Sequence, residues 1–322
     1  MIKISIIVPC YNLGQYLDNC LKSIHSQISP LVEFIFIDDG STDDSQDKLK
    51  IFCKEHINCY YFYQLNAGVS NARNLGLKKS KGEYIFLLDG DDKLTENAIS
   101  IMLKHIEMQS FDILLSNFFI ENTNKKIKND LKCPLGLFSI PTFFKSITQF
   151  PTTPQLLYKK EIIDKYHIVF DSSIHFGEVF NFTLSFLAHA ATIRVINEEL
   201  FVYVMRSESA THALNPDKEL SIIFSINQLI KNGSFLCHYS SFWLSIFSLF
   251  ITFSYYKYYS LKLFNKSIYN ILKIIFKDPK INLLIRKVAF DKKIPFKKRK
   301  LAIYMFFTKV FGYKLLKFKS SL

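Results

Sequence analysis

Long apolar runs that stop abruptly at polar clusters dominate the first hundred residues. Ile4-Ser5-Ile6-Ile7-Val8 is a β-branched run, and Pro9 is expected to end it. Leu13, Tyr16, Leu17, Leu21 and Ile24 then recur at the three- and four-residue spacing of an amphipathic helix. Phe34-Ile35-Phe36-Ile37 predicts a second strand ending at Asp38. Ser41 or Thr42 is expected to cap the next helix, whose first turn would hold Asp43 and Asp44 near the positive end of its dipole. Residues 59–63 predict a third strand, 67–79 a helix broken by Gly82, and 83–88 a fourth strand. Strands alternating with helices of this length imply βαβ units and a parallel sheet.

The pattern changes after Asp112. Residues 112–121 predict a bent strand or strand pair, and 122–130 a polar, lysine-rich loop. Pro134, Pro141, Pro151 and Pro154 punctuate an irregular stretch of the kind that carries functional loops. Residues 155–166 and 178–190 read as helices, and 192–196 and 200–205 as two strands returning to the sheet. After Pro216 the chain reads helical, aromatic and basic, and no repeat of fixed period is present.

Charge divides the chain at the same place. Residues 1–216 hold 21 Lys/Arg against 24 Asp/Glu, a balance of −3, and residues 217–322 hold 20 against 4, a balance of +16. Two parts are therefore expected, 1–215 and 216–322. The six cysteines (Cys10, Cys20, Cys53, Cys59, Cys133, Cys237) have no CxxC pair or ligand-like spacing and read as reduced core thiols. The apolar run at residues 1–8 is too short for a signal-peptide core, so export is not expected.

Two carboxylate clusters close predicted strands: Asp38-Asp39-Gly40-Ser41, and Asp89-Gly90-Asp91-Asp92. Ligands of open α/β sheets bind beyond the strands' carboxyl ends. Carboxylates crowded there repel one another unless a cation or a donor-rich ligand compensates. An Asp-x-Asp in that position suits a hard divalent cation that keeps sites open for phosphate. The chain reads as built to hold a metal-bound nucleotide.

With these motifs in order, residues 3–212 resemble the family 2 glycosyltransferases of the GT-A fold, the bacterial type that builds capsule and lipopolysaccharide. The ordered set is Ile6-Ile7-Val8-Pro9-Cys10-Tyr11-Asn12, Asp38-Asp39-Gly40-Ser41-Thr42-Asp43, Asn66-Ala67-Gly68-Val69-Ser70-Asn71-Ala72-Arg73-Asn74, Leu88-Asp89-Gly90-Asp91-Asp92, and the stretch from Tyr203 to His212. The resemblance implies a Rossmann-like nucleotide-diphospho-sugar transferase domain with a mostly parallel sheet, followed by a helical carboxyl-terminal region. It places Pro9, Tyr11 and Asn12 against base and ribose, and Asp39 on the uracil imide. Asn66 and Gly68 open a helix close to the nucleotide, and Arg73 points at the nucleotide or structures the aspartate cluster. Asp91 is assigned to Mn²⁺ or Mg²⁺, with Asp89 and Gly90 beside the ribose and the metal. Arg206 is assigned to the diphosphate, and His212 to the metal or a phosphate oxygen.

One departure stands out. The family usually carries a Glu-Asp pair whose aspartate is the base, but Ile174-His175-Phe176-Gly177-Glu178-Val179 has valine in the aspartate's place. Glu178 is then the candidate base, with His175 nearby, and a helix-capping glutamate is the plainer reading. The functional expectation is an inverting hexosyl transfer from a UDP-sugar to a capsule, lipopolysaccharide or O-antigen acceptor. A non-catalytic sugar-nucleotide-binding subunit is the rival, and a nucleotidyltransferase is a weaker third option.

Residues 234–256 contain no Asp, Glu, Lys or Arg, and basic clusters such as Lys297-Lys298-Arg299-Lys300 follow. The apolar run reaches the roughly 20 residues of a spanning helix, though a buried or membrane-surface helix fits as well. Lysines interleaved with aromatic residues suit an anionic lipid surface, where lipid-linked glycan acceptors sit. Cytoplasmic residence at the inner face of the membrane is expected. Nucleic acid is not an expected partner, and a second copy of the chain is left open.

Overall fold

The structure, a computed structural model, describes residues 1–122, 125–129, 131, 133–147, 156–174 and 177–205, together with Arg286 and Phe290. The chain divides into two compact units, Met1–Phe143 with Pro151–Leu214, and Phe144–Phe150 with Asn215–Leu322. The described elements in chain order are β1 (Ile4–Cys10), α1 (Gln15–His25), β2 (Val32–Asp38), α2 (Ser45–Glu55), β3 (Cys59–Tyr63), α3 (Val69–Lys79), β4 (Tyr84–Leu87), β5 (Lys93–Leu94) and α4 (Ala98–Met108). They continue with β6 (Ile113–Glu121), β7 (Lys126–Asn129), β8 (Gly136–Ser139), α5 (Ile140–Ser146), β9 (Leu157–Lys159), α6 (Lys160–Lys165), α7 (Glu178–Leu187) and β10 (Thr192–Val204).

These strands form one sheet in the order β3-β2-β1-β4-β9-β6-β10-β5, with β7 added to β6 and β8 to β10. The ladders β1–β2, β1–β4, β2–β3 and β6–β10 are parallel, whereas the antiparallel ladders have four register pairs or fewer. Every residue of β1 and β2 is buried, as expected for parallel strands covered on both faces. Alternation sorts their side chains. Ile4, Ile6, Val8, Phe34 and Phe36 pack with Leu17, Leu21 and Ile24 of α1 and with Leu49 and Phe52 of α2. Ile35 and Ile37 point the other way, onto Ala72 of α3. Each such side chain contributes about 2 kcal/mol by leaving water. α3 approaches β1 so closely that a Cβ on Gly76 would lie 2.3 Å from Ile7 Cγ2, which only glycine permits.

The order 3-2-1-4 means that the chain winds outward from β1 and then crosses back to β4. The carboxyl ends of β1 and β4 therefore flank a topological switch point, the usual ligand crevice of such sheets.

Several local expectations change. Pro9 lies inside β1, paired with Ile37, rather than ending the strand. Its nitrogen faces β4, whose ladder with β1 already stops at Ile7–Leu87, so the missing N–H costs no bond. No side chain caps α2, which begins at Ser45, because Ser41 and Thr42 are used between loops instead. Residues 113–121 form one strand, and part of the predicted lysine-rich loop pairs with it as β7. The helix expected over 155–166 begins as β9, whose Leu157 and Tyr158 are buried between β4 and β6, and only Lys160–Lys165 is helical. The two expected return strands are one, β10, bent where its register against β6 shifts between Val195 and Glu199.

Candidate functional site

At the end of β1 the backbone turns sharply. Asn12 takes φ +48° and Gly14 φ +51°, a region asparagine tolerates and glycine favours. The turn is tied to the loop after β2. Asn12 N–H donates to Ser41 Oγ at 3.1 Å, and Asn12 Oδ1 accepts from Thr42 N–H at 2.8 Å. Gly14 N–H donates to Asp43 Oδ2 at 2.9 Å. Burial pushes the Asp43 carboxyl up, but hydrogen bonds from Ser45 and Gly14 outweigh it and hold the pKa below its ordinary value. Asp43 thus joins two loops besides lying near a helix start. Tyr11 is exposed above this floor, open for stacking.

Asp38 and Asp39 divide the work of their cluster. Asp38 is fully buried and accepts from Ser41 N–H at 2.9 Å and from Tyr61 O–H at 2.9 Å. Asp39, 4% exposed, accepts at Oδ1 from Gln64 Nε2 (2.7 Å) and Ala67 N–H (2.8 Å), and at Oδ2 from Gly68 N–H (2.9 Å). Its carboxylate therefore holds the loop that opens α3, and among the described residues no donor takes the second lone pair of Oδ2. Gly40 (φ +79°) allows that loop in: a Cβ there would lie 2.8 Å from Asn66 N. Asn66 and Gly68 are both exposed beside it.

Asp89-Gly90-Asp91-Asp92 is a turn closed by Asp92 N–H donating to Asp89 C=O at 2.9 Å. Gly90 is buried against β1, and a Cβ would lie 2.5 Å from Leu13 Cδ1 and 3.0 Å from Pro9 C=O. That contact seats the turn on the β1 loop. Asp89, Asp91 and Asp92 each present a carboxylate oxygen within 4.8 Å of the others. An all-oxygen set of this kind fits a hard divalent cation better than a thiophilic one. Asp92 belongs to the carboxylate cluster read from the sequence but was given no metal role there, although its place beside Asp91 was the available signal. It is 1% exposed, and its Oδ1 accepts Val204 N–H at 2.9 Å, fastening the turn to the end of β10.

Arg73 neither reaches outward nor lies on the surface. It is 3% exposed, its Nη2 donates to Asp89 Oδ1 at 2.6 Å, and its Nη1 donates to Glu178 Oε1 at 2.9 Å. Burial pulls its pKa down, but the two carboxylates outweigh burial and hold it above its ordinary value. Of the two roles expected for this residue, it takes the one toward the aspartate cluster. Glu178 is the first residue of α7 and does not cap it: Gly177 (φ +78°) occupies the cap position without a side-chain bond. The Glu178 side chain keeps 18% exposure, and that of Asp89 30%, so both still meet solvent. The sequence reading missed two partners, Gln64 and Phe170, because nothing in their local pattern marks them. Arg206, His212, His175 and the run 234–256 lie outside the described residues.

The structure thus brings Pro9, Tyr11, Asn12, Asp39, Asn66, Gly68, Arg73, Asp89, Gly90, Asp91 and Glu178 around the ends of β1, β2 and β4 and the starts of α3 and α7.

Known proteins resemble the chain in sequence and in fold. The chain is 27% identical over 216 residues to EpsJ of Bacillus subtilis, an uncharacterized glycosyltransferase, covering 65% of this chain and 62% of that one. It is 28% identical over 238 residues to the poly(ribitol-phosphate) beta-N-acetylglucosaminyltransferase TarP of Staphylococcus aureus, covering 72% of each. The crystal structure of S. aureus TarS 1-349 in complex with UDP-GlcNAc superposes with a TM-score of 0.72 at 19% identity, over 98% of this chain and 92% of that one. That likeness is one of fold, a GT-A-like α/β domain. The match takes in less than two thirds of EpsJ, the first of these relatives. The model of glycosyl transferase family 2 matches residues 5–167, half of the chain, and the protein belongs to that family.

Proposed function

We propose that the chain is a metal-dependent, inverting glycosyltransferase that moves a hexose from a UDP-sugar to a cell-surface glycan. The observation that carries this reading is the gathering of the Asp89, Asp91 and Asp92 oxygens within 4.8 Å at the switch point. Beside them lie the exposed Tyr11 and the last acceptor site of Asp39, suited to a ring and an imide N–H. TarP is named for N-acetylglucosamine transfer, and TarS was crystallised with UDP-GlcNAc, so UDP-N-acetylglucosamine is the first donor to test.

Asp91 and Asp89 would hold Mn²⁺ or Mg²⁺, which supplies charge stabilisation for a departing diphosphate. The chain's own residues do the rest. Tyr11, Asn12 and Asp39 fix the nucleoside, and Gly68 lets the backbone approach it. Arg206 and His212 steady the diphosphate. Glu178 takes the proton of the acceptor hydroxyl at Oε2, the oxygen that Arg73 leaves free among the described residues. The acceptor oxygen then bonds the anomeric carbon as its bond to the diphosphate oxygen breaks, and UDP leaves with inversion. Holding both substrates in attack geometry supplies much of the acceleration.

The segment 216–322, with its +16 balance, is assigned to an anionic membrane surface on the cytoplasmic side, where a lipid-linked glycan acceptor is held. Among the described residues no helix is long and apolar enough to cross a membrane.

A second reading rests on a specific pair of observations. Val179 stands where the family's base is usual, and Arg73 already engages Glu178. A non-catalytic sugar-nucleotide-binding subunit would tolerate both. Screening UDP- and GDP-sugars for Mn²⁺-dependent release of free nucleotide separates the readings. Slow hydrolysis or acceptor turnover excludes the inert subunit, and UDP binding without any turnover excludes the enzyme.

A further inference from the structure

A buried arginine is costly unless its charge is matched and its donors are used. Arg73 meets that requirement with two carboxylates, Asp89, 16 positions away, and Glu178, 105 positions away. Its Nε has no hydrogen-bond partner among the described residues, so the two terminal nitrogens carry the contact. The guanidinium also lies 5.4 Å from the centre of the Phe170 ring.

The surroundings on the α7 side are closely packed and hydrogen-bonded. Phe170 stacks on Phe182 of α7 with centroids 4.2 Å apart. Asn74, next to Arg73 on α3, clips the Phe170 backbone twice, donating from Nδ2 to its C=O and accepting its N–H at Oδ1, both at 2.8 Å. Thr183 Oγ1 donates to Val179 C=O at 2.7 Å, and the buried Tyr158 hydroxyl meets Thr183 Oγ1 at 2.7 Å. The first turn of α7 is thereby held against α3 and β9. On the other side, Gly90 seats the aspartate turn on β1. Arg73 is the ionic link between these two packed pieces.

We propose that Arg73 is a positioning residue that couples the metal-side carboxylate Asp89 to the acceptor-side carboxylate Glu178, so that both halves of the site assemble as one unit. One planar guanidinium sets both carboxylates with separate nitrogens, which a lysine point charge cannot reproduce. Each carboxylate commits one oxygen to Arg73, Asp89 its Oδ1 and Glu178 its Oε1, and each side chain keeps some exposure to solvent. In giving this coupling a role in catalysis, the proposal rests on the sugar-transfer reading above. The coupling itself does not need it.

The experiment has two arms on the full chain. In the first, thermal unfolding without ligand is measured for Asp89→Asn, Glu178→Gln and the double variant, in the native background and with Arg73→Met. Non-additive shifts in Tm are expected with Arg73 present, and additive ones once it is methionine. Additive shifts in the native background overturn the coupling whatever the donor. In the second arm, kcat is compared with the calorimetric Kd for UDP in the presence of Mn²⁺. Arg73→Met is expected to lower kcat by about 100-fold with Kd within about fivefold, as a misplaced catalytic group does. Arg73→Lys, included in case the methionine variant folds poorly, should recover part of that loss, and added guanidinium should raise the rate of Arg73→Ala. Equal losses in kcat and affinity, or full activity in Arg73→Met, overturn the positioning role. A native protein that binds no UDP with Mn²⁺ overturns the sugar-transfer reading and the catalytic meaning with it, and the first arm still decides the coupling.

Discussion

In the half of the sheet formed by β1, β2, β3 and β4, several polar residues at the strand ends are held by backbone from a loop nearby. Asp39 accepts amides of Ala67 and Gly68, Asn12 accepts that of Thr42, and Asp43 accepts that of Gly14. In the half formed by β6, β9 and β10, the candidate site has a single described side chain, Glu178, held through Arg73. The first half is parallel and continuous, and its loops emerge together at one rim. The second joins a parallel β6–β10 ladder, interrupted by register shifts, to short antiparallel ladders. The comparison teaches that candidate residues of the first half are fixed by local loop architecture, whereas Glu178 is fixed by one long-range ion pair.

The largest expected break in this picture is on the donor side. Asp91→Asn should lower transfer by about 1,000-fold, the scale of losing several kcal/mol of metal-derived stabilisation, and should abolish the Mn²⁺ dependence of UDP binding in calorimetry. Retained Mn²⁺ dependence would remove Asp91 from the metal set.

Next comes the acceptor side. Glu178→Gln should cost on the order of 100-fold or more in transfer, as loss of a general base does, with UDP affinity little changed. Near-normal turnover takes Glu178 out of the mechanism.

Two structural variants sharpen the contrast within the donor half. Gly90→Ala forces a Cβ against Leu13, Cys10 and Pro9 and should destabilise by about 1–3 kcal/mol, read as a fall in Tm. An unshifted melting curve would mean that the turn does not need that approach. Asp39→Asn sets an amide N–H against the donors that its carboxylate now satisfies. About 1–2 kcal/mol of stability should be lost, with weaker preference for UDP over other nucleotides in competition binding. The smallest effect is expected at Lys3→Ala, whose Glu83 partner is 40% exposed, so denaturant unfolding should change by less than about 0.5 kcal/mol.

Much of the fold's first half was legible because its signals are local. Apolar runs, a 3.6-residue period and the polar clusters that end each strand all lie within windows of a dozen residues. The second half was misread where context overrides pattern. Leu157 and Tyr158 sit in a helix-like sequence yet complete the sheet between β4 and β6, and β10 absorbs its polar middle as a register shift. Local periodicity cannot report which edge a short segment will fill.

The carboxylate clusters at the ends of β2 and β4, the glycines between them and the valine in place of the family's aspartate are properties of the sequence alone. They pointed to the family that the family model matches, because strand ends and carboxylate spacing are contiguous features. Tertiary structure decided what each charge does. It spent three of Asp39's four acceptor sites on the α3 loop, brought Asp92 to β10, and buried Arg73 between partners 16 and 105 positions away. A charge taken out of water must find its counterpart wherever the fold delivers one, and that delivery is a matter of sheet order rather than of neighbouring residues.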